Sequence, residues 1–138
     1  MDEKIKLISD SKKIDSVLKK YWGKQASKKK IVKPKFKVIL IYSESKNKIN
    51  GYIYAHDIND GYFHWCVLDD LSTGEKFNAK ISRTLIIKLI NYCEKEKIES
   101  IEGEITNSDE RKLFKKLNFK NAKEKKETAT FILNKNIK

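Results

Sequence analysis

Histidine is scarce in this chain, and both copies fall within one stretch of alternating character: His56 and His64, with Cys66 two positions further on. Imidazole is the side chain that exchanges a proton near neutral pH, so His64 is the first candidate for a general base. Glu102 and Glu104, on a later segment, are the carboxylate alternatives. The plainer reading of His64, flanked by Phe63 and Trp65, is a packed or exposed strand residue. His56, His64 and Cys66 do not make a metal site, because they lack close ligand doublets and a fourth ligand. No Ser/His/Asp or Cys/His nucleophile set stands out.

Charge offers a second chemistry. Lysines 24, 28, 29, 30, 33, 35 and 37 (Lys24, Lys28, Lys29, Lys30, Lys33, Lys35 and Lys37) form a run with no acid among them. Residues 1–37 carry a net charge of +9 out of the +12 of the whole chain, so the charge is concentrated rather than spread. Concentrated charge speaks to partners, whereas spread charge speaks mainly to solubility. The expectation is an anionic acceptor or partner: a nucleic acid, an aminoacyl-tRNA or an acidic protein. Lysine contacts to phosphates give salt-dependent affinity with little sequence specificity. Tyr21, Trp22 and Phe36 flank the run as stacking candidates. The competing reading is a solvated loop, in a chain whose lysine-rich, arginine-poor composition is what an AT-rich genome would also produce.

Composition bounds the rest. The 138 residues, 39% hydrophobic and 10% aromatic, suit one folded domain, 1–138, with 24–37 as a basic connector. No apolar run approaches the roughly 20 residues needed to span a bilayer, and the start MDEKIKLISD has acids where a signal peptide has base. Two cysteines, Cys66 and Cys93, make no disulfide framework, so a reducing cytoplasm is the expected setting.

The elements that position these residues follow from periodicity. KIKLIS from Lys4 reads as a short strand, and Ile14, Val17, Leu18, Tyr21 and Trp22 form one stripe of an amphipathic helix ended by Gly23. VILIY from Val38, Tyr52 to Ile58, and Tyr62 to Leu68 read as a three-strand meander, with turn signals at Asn50-Gly51 and Asn59-Asp60-Gly61. Asp69 to Ala79 reads as a polar loop, and Ile81 to Cys93 as a helix that is largely covered. A strand from Ile98 to Thr106 leads into NSDERKLFKKLNF, a helix capped by Asn107, with Glu110 at the capping-box position and Asn118 at its end. Short strands near Phe119 to Lys123 and Thr128 to Leu133 close the chain. The class is α+β: a mixed, mostly antiparallel sheet of about six or seven strands flanked by about three helices.

This order, together with the spacing of Asn107, Leu113, Phe114, Leu117 and Phe119, resembles the GNAT acetyltransferase superfamily across nearly the whole chain. The resemblance implies an acyl-coenzyme A-dependent N-acetyltransferase acting on an amine, with acetyl-CoA or another acyl-CoA as cosubstrate. It implies that the cofactor lies against the strand ending at Val67, Leu68 and Asp69, at the start of the following helix (Lys80, Ile81, Ser82, Arg83), and beside Asn107 and Phe114. Two departures stand against that. The family's pyrophosphate loop brings glycines to a helix N-terminus so that backbone N–H groups reach the phosphates. Here Lys80 and Ser82 occupy the two glycine positions and Phe77 the Arg/Gln position. Phe114 stands where many members have a tyrosine that protonates the departing thiolate, and a phenyl ring has no proton to give. The alternative is therefore a catalytically inactive GNAT-like module that binds a nucleic acid or an acidic protein.

Overall fold

The computed structural model describes residues 4–23, 37–59, 61–74, 76–105, 107–125 and 130–136. Lys24, Lys28, Lys29, Lys30, Lys33 and Lys35 lie outside the described residues, as does Phe36.

The chain order is β1 (Lys4–Ile8), α1 (Ser11–Trp22), β2 (Lys37–Ser45), β3 (Lys48–Asn59), β4 (His64–Ser72), α2 (Ala79–Lys95), β5 (Ser100–Ile105), α3 (Ser108–Lys116), β6 (Lys120–Lys125) and β7 (Thr130–Asn136). One seven-stranded sheet runs β1-β2-β3-β4-β5-β7-β6. Every neighbouring pair is antiparallel except β4 with β5. The meander expected from the sequence is β2-β3-β4, and α2 is the crossover that a parallel β4–β5 pair requires. The helix opened by Asn107 connects to β6, the edge strand.

Alternation along the strands builds two cores. On one face Ile39, Ile41, Ile53, Ala55, Cys66 and Leu68 pack under Leu85, Ile86 and Leu89 of α2 and under Leu113 and Phe114 of α3. On the other, Leu40, Tyr42, Ile49 and Tyr52 pack against Ile14 and Leu18 of α1. Each fully buried Ile or Leu contributes roughly 1.5–3 kcal/mol of transfer free energy. Asp10 caps α1, its Oδ1 accepting from the Lys12 and Lys13 N–H groups at 2.9 and 3.4 Å. Gly23 ends the helix at φ 59°, a conformation that glycine adopts without strain.

Two local expectations are corrected. Asn50-Gly51 is not a turn but lies within β3, where Gly51 pairs with Ser43. A Cβ on Gly51 would sit 2.9 Å from the Ser72 carbonyl oxygen, so this glycine serves close backbone approach. The actual β2–β3 turn is at Lys46 and Asn47, both at positive φ (49° and 63°). The supposed loop from Asp69 begins as strand, because β4 runs on to Ser72. At α3, Asn107 Oδ1 accepts from the N–H groups of Asp109 and Glu110 at 2.8 and 3.2 Å. The Glu110 carboxylate is drawn into a half-buried position near Asp70.

Candidate functional site

The parallel pair at the centre of the sheet is short. β4 and β5 are in register from Trp65↔Ser100 to Leu68↔Gly103. Beyond that point β4 continues to Ser72, paired with β3, and β5 continues to Ile105, paired with β7. The two strands part above Leu68 and Gly103, opening a gap between parallel neighbours. Gly103 sits at the apex, where an added Cβ would lie 3.3 Å from Leu68 Cβ. Both α2 and α3 begin at this end of the sheet, since each follows the strand that borders the gap.

A bulge shapes the β4 side of the gap. The β3–β4 register steps between Tyr54 and Ala55, with Ala55 opposite Leu68 and Tyr54 opposite Asp70, so Asp69 is the extra residue. Its carboxylate Oδ2 meets Nδ1 of His56 at 2.6 Å. Burial pushes the Asp69 carboxyl up, and the His56 contact partly offsets that. An ionised carboxylate only accepts, so His56 carries its proton on Nδ1, and in the neutral ring Nε2 holds the lone pair. Asp70 accepts from the Tyr52 hydroxyl, which in turn accepts from Trp22 Nε1–H at 3.2 Å. Ser72 Oγ lies 2.8 Å from Tyr21 Oη. Glu110, from the first turn of α3, has its carboxyl raised by burial and by the neighbouring Asp70.

The residues named from sequence divide by position. Asp69 lies at the gap, Val67 is on the last paired stretch of β4, and Asn107 caps the helix that leaves β5. His64 does not join them. It opens β4 at the opposite end of the sheet, five residues or roughly 16 Å from Asp69 along the strand, with its Nε2 3.5 Å from Asp57 Oδ2. Strand length is the reason, since β4 extends further past His64 than its apolar run. Of the two glutamates, the backbone of Glu104 lies on β5 just above the apex, opposite Ile132 of β7, and Glu102 is in the paired region opposite Val67. Lys37 is also at the far end, opposite Asp57, with Nζ 5.7 Å from the centre of the Tyr92 ring. His56 carries no acid–base expectation from the sequence, and its contact with Asp69 depends on register. The hairpin at Asn59 and Gly61 put it opposite Val67, but nothing in the residue order announces the bulge that turns Asp69 towards it.

The coenzyme A arm implied by the family resemblance would lie where β4 residues 69–72 have left β5. At the start of α2 the fit differs from that of a glycine loop. Asn78 caps this helix, its Oδ1 accepting from Ile81 N–H at 3.0 Å, and so occupies one backbone donor that a phosphate would use. Ser82 does not crowd the approach, because its side chain is fully buried on the sheet-facing side with Leu85 and Ile86. Its hydroxyl finds no hydrogen-bond partner among the described residues. Lys80 and Arg83 are exposed on the helix's first two turns and supply positive charge there. Phe114 is fully buried, its ring edge-on to Phe119 with centroids 4.9 Å apart.

No metal-holding cluster of His, Cys, Asp and Glu occurs among the described residues. Cys66 and Cys93 are free and buried, and their contact across the β4–α2 interface, together with burial, pushes the Cys66 thiol up. Among the described residues no helix is long and apolar enough to cross a membrane.

No protein-family model matches the chain, and no curated protein matches it by sequence. Solved structures do match, over almost their full length. The PaiA N-acetyltransferase from Thermoplasma acidophilum, in complex with coenzyme A, superposes with a TM-score of 0.70 at 18% identity, covering 99% of both chains. The aminoglycoside 6'-N-acetyltransferase from Enterococcus faecium gives 0.71 at 12% identity, covering 98% of this chain and 97% of that one. An acetyltransferase of the GNAT family from Streptococcus pneumoniae gives 0.71 at 12% identity, covering 99% and 100%. The chain has the fold of the GNAT N-acetyltransferases.

Proposed function

We propose that the protein is an acyl-coenzyme A-dependent N-acyltransferase working in the cytoplasm, with the thioester arm lying between β4 and β5. The observation that carries this reading is the end of β4–β5 pairing at Leu68 and Gly103 while both strands run on. A strand edge released in this way offers backbone N–H and C=O groups to an extended amide-bearing arm. Residues 69–72 would hold that arm, with Lys80 and Arg83 at its phosphate end. The acyl-coenzyme A supplies an activated thioester carbonyl, which forms the new C–N bond as the C–S bond breaks.

The chain's own residues manage the proton. An amine at neutral pH arrives as an ammonium and must lose a proton before it can attack. His56 Nε2 takes that proton, and Asp69 holds the ring by Nδ1–H and stabilises the imidazolium that results. Asp70 and Glu110 favour the ammonium form on arrival. The core position of Phe114 removes a phenol donor, but an alkyl thiol ionises near pH 8.5, so a thiolate departs near neutral pH without obligatory protonation. An amine carried on an anionic molecule suits both ends of this reading. The carboxylates would meet the ammonium, and the connector lysines from Lys24 to Lys35, whose charge is the sequence's own signal, would meet the anionic body.

The second reading, a GNAT-like binding module without catalysis, is favoured by the Asn78 cap on α2 and by the lost glycines. Release of free thiol from acetyl-coenzyme A, followed colorimetrically against a panel of amines, separates the two. Amine-dependent release that disappears in His56→Gln and Asp69→Asn supports the enzyme. Binding of acetyl-coenzyme A without release for any amine supports the inactive module.

A further inference from the structure

The lip of the gap carries a one-way hydrogen-bond chain that ends on Asp70, and the reaction above assigns no role to its two donors, Trp22 and Tyr52. Trp22, at the end of α1, donates Nε1–H to the Tyr52 oxygen at 3.2 Å, and Tyr52 is paired with Asp70 Oδ2. Chemistry fixes the direction. An indole N–H only donates and an ionised carboxylate only accepts, so the single phenol proton points to Asp70. Tyr52 is buried to within 1% of complete and sits on β3 opposite Ser72, the last residue of β4. Burial, and then Asp70, push its ionisation far above that of an ordinary phenol, so it stays a donor throughout the working pH range.

The rings around this chain make a compact wall. Tyr21 lies edge-on to both Trp22 and Tyr52, with centroids 5.1 Å away in each case, and Trp22 lies 6.2 Å from Tyr52. Tyr21 is tied independently to Ser72. Two consecutive residues of α1 are thus tied to the part of β4 that has parted from β5, Tyr21 directly through Ser72 and Trp22 through Tyr52 of β3. If the only task were to pin α1, the apolar contacts of Ile14 and Leu18 would serve. The polar chain adds a carboxylate held in one orientation beside aromatic rings, a pairing that recognises alkylammonium groups.

We infer that Tyr52, oriented by Trp22, is a positioning residue that holds the Asp70 carboxylate as counter-ion for a cationic amine acceptor. This rests on the acyltransferase reading of the same gap, and it names what the acceptor side selects: a primary alkylammonium over its uncharged isostere. Removing the phenol proton takes away the hydrogen bond through which Tyr52 orients the carboxylate, which weakens amine binding without touching the thioester side.

The test uses the full chain, with butylamine as the cationic probe and butanol as its neutral match, read on the backbone amide resonances of Asp70 and Ser72. Saturable shifts with butylamine and none with butanol are expected. Tyr52→Phe, which keeps the ring, should weaken butylamine binding tenfold or more, the usual worth of a hydrogen bond to a charged group. Trp22→Phe should weaken it in the same direction, and acetyl-coenzyme A affinity should stay within about twofold in both. A purely structural role would lower the melting temperature and leave the amine affinity of the folded protein unchanged, and that result overturns the inference. Equal shifts with butanol overturn it as well. Butylamine binding in a protein that ignores acetyl-coenzyme A would keep the ammonium site and discard the acyltransferase.

Discussion

Phe114→Tyr restores, at the position of the missing phenol, the side chain that many GNAT enzymes use as an acid, and the structure says what it should do. Phe114 is 1% exposed, packed edge-on against Phe119 with 4.9 Å between ring centres, and Phe119 is itself 4% exposed. A hydroxyl added to the ring therefore enters apolar surroundings. Burying a hydroxyl without a partner costs about 1–3 kcal/mol on mutational scales, so about 2 kcal/mol is the working value. Unfolding entropy near 2.1 cal/mol/K per residue gives about 0.29 kcal/mol/K for a chain of this size. The expected loss is then about 7 °C in melting temperature. Circular dichroism melts of wild type and variant measure that shift, and thiol release from acetyl-coenzyme A, compared at a temperature where both are folded, measures any catalytic gain. The expected outcome is a lower melting temperature with no faster release. An unchanged melting temperature together with faster release would show that the ring edge reaches the gap, and the core placement of Phe114 would be refuted.

Other outcomes follow from the same geometry. Asp69 has a carboxyl raised by burial, so over the window from the ordinary carboxylate range up to its folded value the native state binds more protons than the unfolded chain, and its contribution to stability falls as pH rises through that window. Asp69→Asn should therefore flatten that part of the stability–pH curve and leave the protein at least as stable at pH 7 by urea titration, while abolishing thiol release; clear destabilisation at pH 7 would count against the assignment. Gly103→Val places branched carbons against Leu68, whose Cβ is already 3.3 Å from where a Cβ would stand, and should cost about 1–3 kcal/mol of stability in urea. A stability gain from the better strand former would mean that the apex is not tightly packed. Asn107→Ala removes the acceptor for the Asp109 and Glu110 N–H groups and should cost about 1 kcal/mol by the same measurement.

What the residues disclosed, and what they hid, divides along physical lines. The three helices were legible from their apolar residues, Ile14 and Leu18, Leu85 and Leu89, and Leu113 and Phe114, and the third also from its cap at Asn107; the cap of α2 at Asn78 was not. Asn118, expected to tolerate a left-handed conformation, stands at φ 70° just past α3. The β3–β4 hairpin was legible from Asn59 and Gly61, the latter at φ 92°. The end of β4 was not legible, because Asp69, Asp70 and Ser72 read as loop by composition. They belong to the strand because β3 pairs with them and because Tyr52 and Tyr21 satisfy Asp70 and Ser72 from distant parts of the chain. Asn50-Gly51 misled for the converse reason. Its glycine answers to a carbonyl on β4 more than 20 positions away, and local turn statistics contain no such term.

The site shows the same pattern more sharply. His64 drew attention through its neighbours in sequence, and the structure pairs it with Asp57 far from the gap. His56 meets Asp69 because a bulge turns that residue towards it. Residue types alone offered His64 as a base, with Glu102 or Glu104 as alternatives. Register decided which histidine meets a carboxylate at the gap.

Calorimetric titration of the full chain with acetyl-coenzyme A tests the central proposal most directly, because it asks whether the gap above Leu68 and Gly103 takes a thioester arm irrespective of any acceptor. The result expected is saturable one-to-one binding with a Kd on the order of 10 μM, about −7 kcal/mol. No saturable heat up to about 1 mM acetyl-coenzyme A, weaker than about −4 kcal/mol, would contradict it and leave the fold without the enzyme.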